Sequence, residues 1–273
     1  MDKPKTFLGW DKPGKAFITG ASAGIGASFA EALASYGFDL VLLARRKDKL
    51  WNLADRLEKE YGVRCEIICA DLANTEEIVK TANHLRQIDH LDILINNAGF
   101  ATIGNFAEVP LEKSMRMFEL HMSAAVRLTH AALQSMREQK RGVIINVSSM
   151  GAFILTPGNV LYDATKSFLN TFSENLSLEV KDTGIRVQAL CPNFTRTEFH
   201  EVGDFENFDR AAVPESLWMM PDDVVSASLA ALEKNEPPVL IPGRKNRFIK
   251  WIVLNSSTVR SLVQKKVKAR GGK

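Results

Sequence analysis

The chain has 273 residues, of which 45% are hydrophobic and 25% charged, and its net charge is +3. These fractions are typical of an ordinary globular protein, and the length favours a single α/β domain. No apolar run approaches the roughly 18 residues that cross a bilayer, and residues 1–11 lack an apolar segment. We therefore expect a cytoplasmic protein rather than a membrane-spanning or secreted one.

Three cysteines bear on disulfides and metals. Cys65 and Cys69 fall on one predicted strand, where four residues span roughly 13 Å, which is too far for a disulfide. Cys191 is then left without a partner, so we expect three reduced thiols. The spacing of the cysteines does not match a metal-ligand motif, and no metal site is predicted.

The carboxyl-terminal residues carry much of the positive charge. Residues 244–273 contain ten Lys or Arg and no Asp or Glu, so the rest of the chain carries about −7. Apolar residues are interleaved with these cations: Phe248, Ile249, Trp251, Ile252, Val253 and Leu254. The pattern fits a basic helical tail packed on its own domain, or an amphipathic helix in peripheral contact with an anionic membrane. A nucleic-acid partner is not expected, because no recognisable nucleic-acid-binding fold accompanies the tail.

Short apolar runs alternate with amphipathic periodicities along the chain. The apolar runs predict seven strands, at residues 15–19, 38–43, 64–70, 91–95, 143–147, 185–190 and 239–241. The periodicities predict helices at residues 25–36, up to about 61, from about 75, and at 110–138, 160–180 and 221–232. Strands and helices therefore alternate, as they do in α/β domains.

A glycine run joins the first strand to the first helix. It reads Gly20-x-x-x-Gly24-x-Gly26. Glycines let the backbone approach a phosphate closely, and a helix amino terminus attracts a pyrophosphate. The spacing differs from the G-x-G-x-x-G dinucleotide pattern, and taken by itself the run could be only a tight turn.

Ser149, Tyr162 and Lys166 are the candidate catalytic residues. Tyr162 and Lys166 are four apart in a predicted helix, so they share one face, where an ammonium would lower the pKa of the phenol. Ser149 follows strand 143–147, at the edge where open α/β sheets bind ligands. Without further evidence, the tyrosine and lysine could equally be a pair on a solvated helix face.

Two further motifs accompany these residues, namely Thr19-Gly-Ala-Ser-Ala-Gly-Ile-Gly26 and Asn96-Asn-Ala-Gly99. With all three in order, the chain resembles the short-chain dehydrogenase/reductase family from about residue 15 to 243. The resemblance implies a Rossmann-like, doubly wound, mostly parallel seven-stranded sheet with helices on both faces. It also implies a substrate lid at 198–221 and a homodimer or homotetramer. Residues 1–14 and 244–273 lie outside the resemblance, and we expect them to be an amino-terminal extension and a basic helical tail.

The resemblance implies NADP(H) as the cofactor. The position that is acidic in NAD-preferring enzymes is Ala44, and Arg45 then becomes the ligand of the 2′-phosphate, assisted by Arg46 and Ser22. A charge cluster at a helix start is the alternative. The implied cofactor contacts are Gly20, Ser22, Gly24, Ile25, Gly26, Arg45, Arg46, Asp71, Leu72, Asn97, Ala98, Gly99, Tyr162, Lys166, Pro192, Asn193, Thr195 and Thr197.

Several of these residues have a second interpretation. Asp71 is implied to contact the adenine, but it could also cap the helix that begins near residue 75. Thr195 and Thr197 are implied to contact the nicotinamide carboxamide and the pyrophosphate, or they only cap the segment that follows. Asn193 replaces the usual glycine of the family, and we expect it to keep a left-handed turn.

His121 departs from the family pattern. It stands where the family has a catalytic asparagine, which holds a helix irregularity whose backbone carbonyl orders a water beside the lysine. The imidazole could replace that amide, or His121 could be a buried structural histidine. An apolar stripe in the same helix is expected to pack on the sheet and to serve dimerisation: Met115, Phe118, Met122, Val126 and Leu133.

The resemblance implies a carbonyl reductase in which Tyr162 is the proton donor, Ser149 holds the carbonyl oxygen, and Lys166 also holds ribose hydroxyls. A small apolar ketone or 3-oxoacyl substrate suits the residues of the lid: Phe199, Phe205, Phe208, Leu217, Trp218, Met219 and Met220. The alternatives are an NADP-dependent alcohol or hydroxysteroid dehydrogenase and a non-catalytic NADP-binding regulator.

Overall fold

The computed structural model describes residues 7–200, 210–259 and 261. In these residues, seven strands form one sheet: β1 (Lys15–Thr19), β2 (Asp39–Ala44), β3 (Cys65–Cys69), β4 (Leu91–Asn96), β5 (Gly142–Val147), β6 (Ile185–Leu190) and β7 (Val239–Leu240). Their order is β3-β2-β1-β4-β5-β6-β7, and every pairing is parallel. The predicted seven-stranded doubly wound sheet is confirmed.

Helices cover both faces of the sheet. They are α1 (Gly24–Ser35), α2 (Lys47–Tyr61), α3 (Thr75–Arg86), α4 (Leu111–Phe118), α5 (Ala124–Gln139), α6 (Val160–Glu179), α7 (Pro221–Glu233) and α8 (Arg244–Asn255). Apolar residues of α1, α2 and α7 form one core, and those of α3, α5 and α6 form the other. Because successive residues of a strand point to opposite faces, Ile18 packs in the first core and Phe17 in the second.

The strand order reverses between β1 and β4. From β1 the chain proceeds outward through β2 and β3, and then returns to build β4 on the other side of β1. Such a reversal leaves a crevice at the carboxyl ends of the two central strands, where open α/β sheets bind their ligands. The glycine run follows β1 and residues 97–99 follow β4, so both motifs lie at this crevice.

The long helix predicted at residues 110–138 is interrupted. After α4, residues Glu119–Ser123 form a π-helical turn, and the chain then continues as α5. A π turn contains an extra residue and is often found at functional sites. His121 lies in this turn and is 2% exposed.

The prediction that the stripe of large side chains packs on the sheet is wrong. Met115 and Val126 are exposed, and Leu133 is only partly buried. The inward face of α5 consists mainly of small residues: Ala124, Ala125, Leu128, Ala131, Ala132 and Met136. Alanines allow a helix to approach a sheet closely, and for that reason side-chain size misidentified the buried face.

Both ends of the described chain contact the domain. Phe7 is buried against Tyr36 and Phe38, and the Arg141 guanidinium lies 4.3 Å from the centre of the Trp10 ring. At the other end, α8 buries Val253. Across the described ranges, none of the helices combines the length and the apolar character needed to cross a membrane.

Candidate active site

Ser149 and Tyr162 meet over Gly151. The Ser149 hydroxyl accepts a hydrogen bond of 3.0 Å from the Gly151 amide and also hydrogen-bonds the phenol of Tyr162. A β-carbon placed on Gly151 would lie 3.4 Å from both Ser149 Oγ and Tyr162 Cε1. The loop after β5 and the first turn of α6 therefore bring the two hydroxyl-bearing side chains into one small volume.

Lys166 lies one helical turn beyond Tyr162 and is only 5% exposed. Its ammonium donates a 2.9 Å hydrogen bond to the carbonyl of Val147, the last residue of β5, and lies 5.6 Å from the centre of the Tyr162 ring. The predicted common face of Tyr162 and Lys166 is thus an interior face rather than a solvated one.

Burial governs the titration of both groups. It raises the pKa of Tyr162 to about 12, although the hydrogen bond from Ser149 acts in the opposite direction. It lowers the pKa of Lys166 to about 8. The net shift of the Tyr162 pKa is therefore upward, opposite to the predicted lowering, because loss of water disfavours the phenolate.

His121 is a neutral imidazole in this site. Its Nδ1 atom lies 2.9 Å from Thr165 Oγ1, and that hydroxyl also donates to the Tyr162 carbonyl. The pKa of His121 is held well below its usual value, first by burial and then by the charge of Lys166, although a hydrogen bond with the backbone of Phe100 acts in the opposite direction.

A small internal cavity lies between the π turn and Lys166. Its volume is about 10 Å³, close to the least that holds one water molecule. Side chains with polar groups contribute to its lining: Thr19, Asn96, His121 and Lys166. The cavity therefore offers polar partners beside Lys166.

Asp163 is a buried carboxyl group that the sequence analysis missed. Its Oδ2 accepts hydrogen bonds from the amide and hydroxyl of Thr156, at 3.0 and 2.9 Å. Its Oδ1 lies 2.8 Å from a β-carbon placed on Gly151. Burial raises the pKa of Asp163 to about 6. The only sequence signal was its position beside Tyr162, and one residue's place in a helix does not reveal its burial.

The glycine run lies against the loop after β6. Gly24 has a φ of +57°, and a β-carbon there would lie 2.7 Å from Thr197 Cγ2. Helix α1 starts without a side-chain cap and without an acidic residue in its first turn. The first amides of α1 are therefore available to an anion, as a pyrophosphate site requires.

Asn97 connects the two central strands. Its side-chain amide donates to the carbonyl of Thr19 at 2.9 Å, and its backbone amide donates to the Thr19 hydroxyl at the same distance. The amide of Ala98 donates to that hydroxyl as well, at 3.0 Å. Thr19, which the sequence analysis did not single out, thus holds residues 97–99 against the glycine run.

Cationic groups converge beyond the end of β2. The guanidinium of Arg46 donates to Ser22 Oγ at 2.9 and 3.2 Å, and it also binds the carboxylate of Glu198. Lys49 binds the other oxygen of that carboxylate. Arg45 is exposed and stands outside this group. The predicted 2′-phosphate ligands Arg46 and Ser22 therefore already form an anion-binding cluster, with Glu198 as its occupant.

The capping interpretation of Asp71 is wrong. Asn74 caps α3, accepting hydrogen bonds from the amides of Glu76 and Glu77. Asp71 instead accepts from the amide of Ala73 and pairs with Arg116 at 2.7 Å, which helps keep its pKa below the usual value. The adjacent Leu72 is buried.

Asn193 does not adopt the expected left-handed conformation, because its φ is not positive. Its side chain shapes the turn instead, since Oδ1 accepts from the Phe194 amide and Nδ2 donates to Asn246 in α8, both at 3.0 Å. Thr195 Oγ1 donates to the Asn193 carbonyl, and the Pro192 carbonyl accepts from the Met150 amide. This loop therefore connects the cofactor crevice with the residue next to Ser149.

Aromatic side chains surround the phenol of Tyr162. The ring of Phe199 lies 6.3 Å from it and that of His121 lies 5.9 Å from it, centre to centre. In the rest of the predicted lid, Trp218 packs on Phe194 at 5.5 Å. Phe205 and Phe208 lie outside the described residues. The ring of Phe199 thus adds apolar surface beside the polar neighbours of the phenol, Ser149 and Lys166.

A glycine turn at the switch point of a doubly wound sheet, beside a serine, tyrosine and lysine, defines a Rossmann-type oxidoreductase. The family profile for short chain dehydrogenases matches residues 15–204. The chain belongs to this family of NAD(P)-dependent oxidoreductases.

Relatives and solved structures agree with this assignment. The very-long-chain 3-oxoacyl-CoA reductase of Anas platyrhynchos is 30% identical over 257 residues, which are 92% of this chain and 78% of that protein. A short-chain dehydrogenase from Sphingobium yanoikuyae in complex with NADPH is 37% identical with a TM-score of 0.80, covering 92% of this chain and 95% of that one. The bulky-bulky ketone specific alcohol dehydrogenase of Comamonas testosteroni is 31% identical with a TM-score of 0.76, covering 97% and 98%.

Proposed function

We propose that the protein is an NADPH-dependent carbonyl reductase that acts on an apolar ketone or 3-oxoacyl substrate. The observation that carries the proposal is the convergence of the Ser149 hydroxyl and the Tyr162 phenol over Gly151, with the buried ammonium of Lys166 beside the phenol ring. These groups lie next to a glycine turn with free helix amides, which suits a dinucleotide cofactor.

The residues present fit NADPH. The uncapped start of α1 offers amides to the pyrophosphate, while Arg46 and Ser22, with the exposed Arg45 nearby, offer donors to a 2′-phosphate. A similar short-chain dehydrogenase was solved in complex with NADPH, which supports the same choice here. Bound NADPH would supply the hydride that reduces the carbonyl carbon.

Side chains of the protein supply the proton that the carbonyl oxygen takes up. With a pKa raised to about 12, Tyr162 keeps its proton at neutral pH and can donate it to a carbonyl oxygen. Ser149 is placed to donate a hydrogen bond to the same oxygen. Lys166, whose pKa is about 8, is mostly an ammonium at neutral pH and stabilises negative charge that develops on the phenol oxygen.

The protonated phenol of Tyr162 is the form that carbonyl reduction requires. Oxidation needs the phenolate as a base, and burial disfavours that form. The π turn at Glu119–Ser123 and the cavity beside Lys166 also suit a water that resupplies the proton. We assign His121 to this path as a neutral imidazole that can hydrogen-bond such a water.

The substrate class follows from the side chains around the phenol. Phe199 lies beside Tyr162, and Phe153 lies in a small apolar cluster with Met150, the residue after Ser149. Apolar walls favour an apolar chain or a bulky group next to the carbonyl. Two of the similar proteins have names that agree with these substrates. The Anas protein is named as a 3-oxoacyl-CoA reductase, which agrees with an apolar chain, and the Comamonas protein as a bulky-ketone enzyme, which agrees with a bulky group.

We also propose that the active protein is a homodimer or homotetramer. Leu111 and Met115 on α4 and Leu178 on α6 are exposed by 64%, 45% and 73%. Large apolar side chains on helix faces outside the core are typical of subunit interfaces. Sedimentation of the purified protein at micromolar concentration tests this, and a monomer under those conditions would contradict it.

Replacing Tyr162 by Phe tests the proposed reaction. The substitution keeps the ring but removes the proton donor, so turnover of NADPH with a ketone panel should fall about a hundredfold or more. The affinity for NADPH should stay within about twofold of the wild-type value, because no cofactor contact of the phenol is needed for the nucleotide to bind. Absorbance at the dihydropyridine band reports turnover, and fluorescence titration reports binding.

Tyr36→Phe is the matched control, because it removes a phenol that lies at the end of α1, away from Ser149. It should leave turnover unchanged. Near-normal turnover of Tyr162→Phe would refute the assigned role. Wild-type protein that binds NADPH but reduces no ketone in the panel would favour a non-catalytic regulator instead.

A further inference from the structure

We propose that the outward face of α8 is a docking surface for a membrane that contains anionic lipid. Its centre is an apolar ridge, formed by Phe248, Trp251 and Leu254. These side chains are exposed by 60%, 61% and 45%, and they form one contiguous patch, which is more informative than a single exposed apolar residue. We call them the α8 ridge.

The α8 ridge is preformed rather than loose. The rings of Phe248 and Trp251 stack at 6.1 Å with an angle of 14° between their planes. Three and six residues separate Trp251 and Leu254 from Phe248, so all three side chains lie on one side of the helix. The ridge therefore presents a continuous apolar edge to the solvent.

Cations flank the ridge. Arg244, Lys245 and Arg247 belong to the first turn of α8 and are exposed. Residues 244–273 hold ten Lys or Arg and no acidic residue, whereas the rest of the chain is negative overall. An anionic surface is thus attracted to this end of the protein and repelled by most of the remainder.

The opposite face of α8 is firmly attached to the domain. Val253 is buried, and Asn246 bonds both the Pro242 carbonyl and the side chain of Asn193. Ile249 packs against a small cluster that includes Ile241. Because one face is fixed in this way, the ridge cannot turn inward without breaking these contacts.

The combination of side chains identifies the occupant. Aromatic and leucine side chains with cations beside them suit the boundary between lipid headgroups and acyl chains. The core of an interface with a second copy of the chain would be depleted of charge, and a nucleic acid would not use the apolar ridge. An anionic bilayer satisfies both the apolar and the cationic groups.

Docking in this way would place the bilayer on the outer side of α8, while the inner side of the same helix packs near the catalytic loop. Lys250 lies 4.3 Å from the centre of the Phe153 ring, and Ile249 packs in the cluster that contains Met150, the neighbour of Ser149. If the proposed function holds, an apolar substrate could pass from the lipid phase to the site. The docking itself does not depend on that function.

Co-sedimentation of the full chain with vesicles tests the proposal. Wild-type protein should pellet with vesicles of equal parts phosphatidylcholine and phosphatidylglycerol, and it should bind pure phosphatidylcholine about tenfold or more weakly. The double variant Phe248→Ser/Trp251→Ser should lose about tenfold or more in partitioning. Arg244→Gln/Arg247→Gln should reduce binding to the anionic vesicles and the sensitivity of that binding to salt.

Trp51→Ser is the matched control, because Trp51 is 56% exposed on α2 and lies outside the ridge. It should leave partitioning unchanged. NADPH affinity should be the same in every variant, which shows that each one is folded. Equal pelleting of the wild type and the ridge variant would overturn the proposal. The proposal would also be overturned if the wild type did not bind vesicles and the ridge variant sedimented with a smaller mass than the wild type. That result would assign the α8 ridge to a contact between subunits.

Discussion

The nucleotide crevice and the catalytic pocket lie side by side but are built by different means. The crevice depends on close backbone approach, with Gly24 and Gly26 packed against Thr197 and Asn97, and its charged groups are exposed. The catalytic pocket depends on burial. Its titratable residues Tyr162, Asp163 and Lys166 all have pKa values displaced by loss of water.

This difference indicates where each region is sensitive. Substitution in the crevice should change stability and nucleotide binding through steric overlap and through charge pairing at the surface. Substitution in the catalytic pocket should change how stability and activity respond to pH, because a displaced pKa links folding to proton binding. Four substitutions test this contrast.

Lys166→Met should have the largest effect. Turnover should fall about a hundredfold or more, because the pocket loses the buried cation beside the phenol. Stability should respond as well. The pKa of Lys166 is about 8 in the folded protein and near 10.5 in the unfolded chain. As pH increases from about 8 to about 10.5, the unfolded chain binds more protons than the folded protein. The wild-type free energy of unfolding should therefore rise by roughly 3 kcal/mol over that range.

Urea unfolding at several alkaline pH values measures that rise, which should be absent in Lys166→Met. Lys181→Met, at an exposed position just after α6, is the control and should retain it. If the free energy of unfolding depended on pH in the same way in the wild type and in Lys166→Met, Lys166 would not be desolvated as described.

Asp163→Asn should change how the free energy of unfolding depends on pH in the acidic range. The pKa of Asp163 is about 6 in the folded protein and near 3.8 in the unfolded chain. Between these values the folded protein holds the extra proton, so the contribution of Asp163 to stability should decrease by roughly 3 kcal/mol as pH rises from about 4 to 6. An asparagine still accepts the Thr156 bonds but does not titrate, so the variant should lack that decrease.

Thermal unfolding of the wild type and Asp163→Asn across this pH range tests whether the contribution of Asp163 to stability decreases as pH rises. Asp182→Asn, an exposed neighbour of α6, should follow the wild-type profile. A constant difference between Asp163→Asn and the wild type at every pH would contradict the buried titration.

Gly26→Ala tests the crevice. A β-carbon on Gly26 would overlap the carbonyl oxygen of Gly20 and lie 2.5 Å from Asn97 Nδ2. We expect a loss of about 1–3 kcal/mol in the free energy of unfolding and weaker NADPH binding, with no change in how stability depends on pH. Urea unfolding and fluorescence titration measure the two effects.

Gly62→Ala separates steric overlap from backbone strain. Gly62 has a φ of +71°, but a β-carbon there meets no atom within 4 Å. This control should lose about 1 kcal/mol and bind NADPH normally. Equal NADPH affinity in Gly26→Ala and Gly62→Ala would be evidence against a phosphate contact at the glycine turn.

Glu198→Gln should have the smallest effect. The carboxylate of Glu198 binds Arg46 and Lys49, and these cations would otherwise be free to meet a 2′-phosphate. Because such exposed pairs are worth at most about 1 kcal/mol, removing the charge should tighten binding of 2′,5′-ADP about two- to fivefold. Binding of 5′-AMP, which lacks the 2′-phosphate, should not change.

Calorimetric titration of both nucleotides provides the comparison. Glu174→Gln, an exposed residue on α6, should alter neither affinity. If Glu198→Gln tightened both nucleotides equally, the carboxylate would not compete with the 2′-phosphate.

Local patterns predicted most of the scaffold. All seven strands were found with ends within one residue of those observed, because a short apolar run between turns has few other structures open to it. Hydrophobic periodicity predicted one unbroken helix over residues 110–138, and only the resemblance implied a helix irregularity at the position of His121, where the structure has the π turn. The capping role of Asn74 was also missed, because Asp71 is chemically as suitable and only the start of α3 distinguishes them.

Residue types and short-range spacing were enough to predict the family, the order of the elements and the serine, tyrosine and lysine set. The direction of the tyrosine pKa, the burial of Asp163 and the pairing of Glu198 with Arg46, 152 positions away in the chain, emerged from the three-dimensional fold. Desolvation and ion pairing depend on which distant segments surround a group, and no local pattern encodes those surroundings.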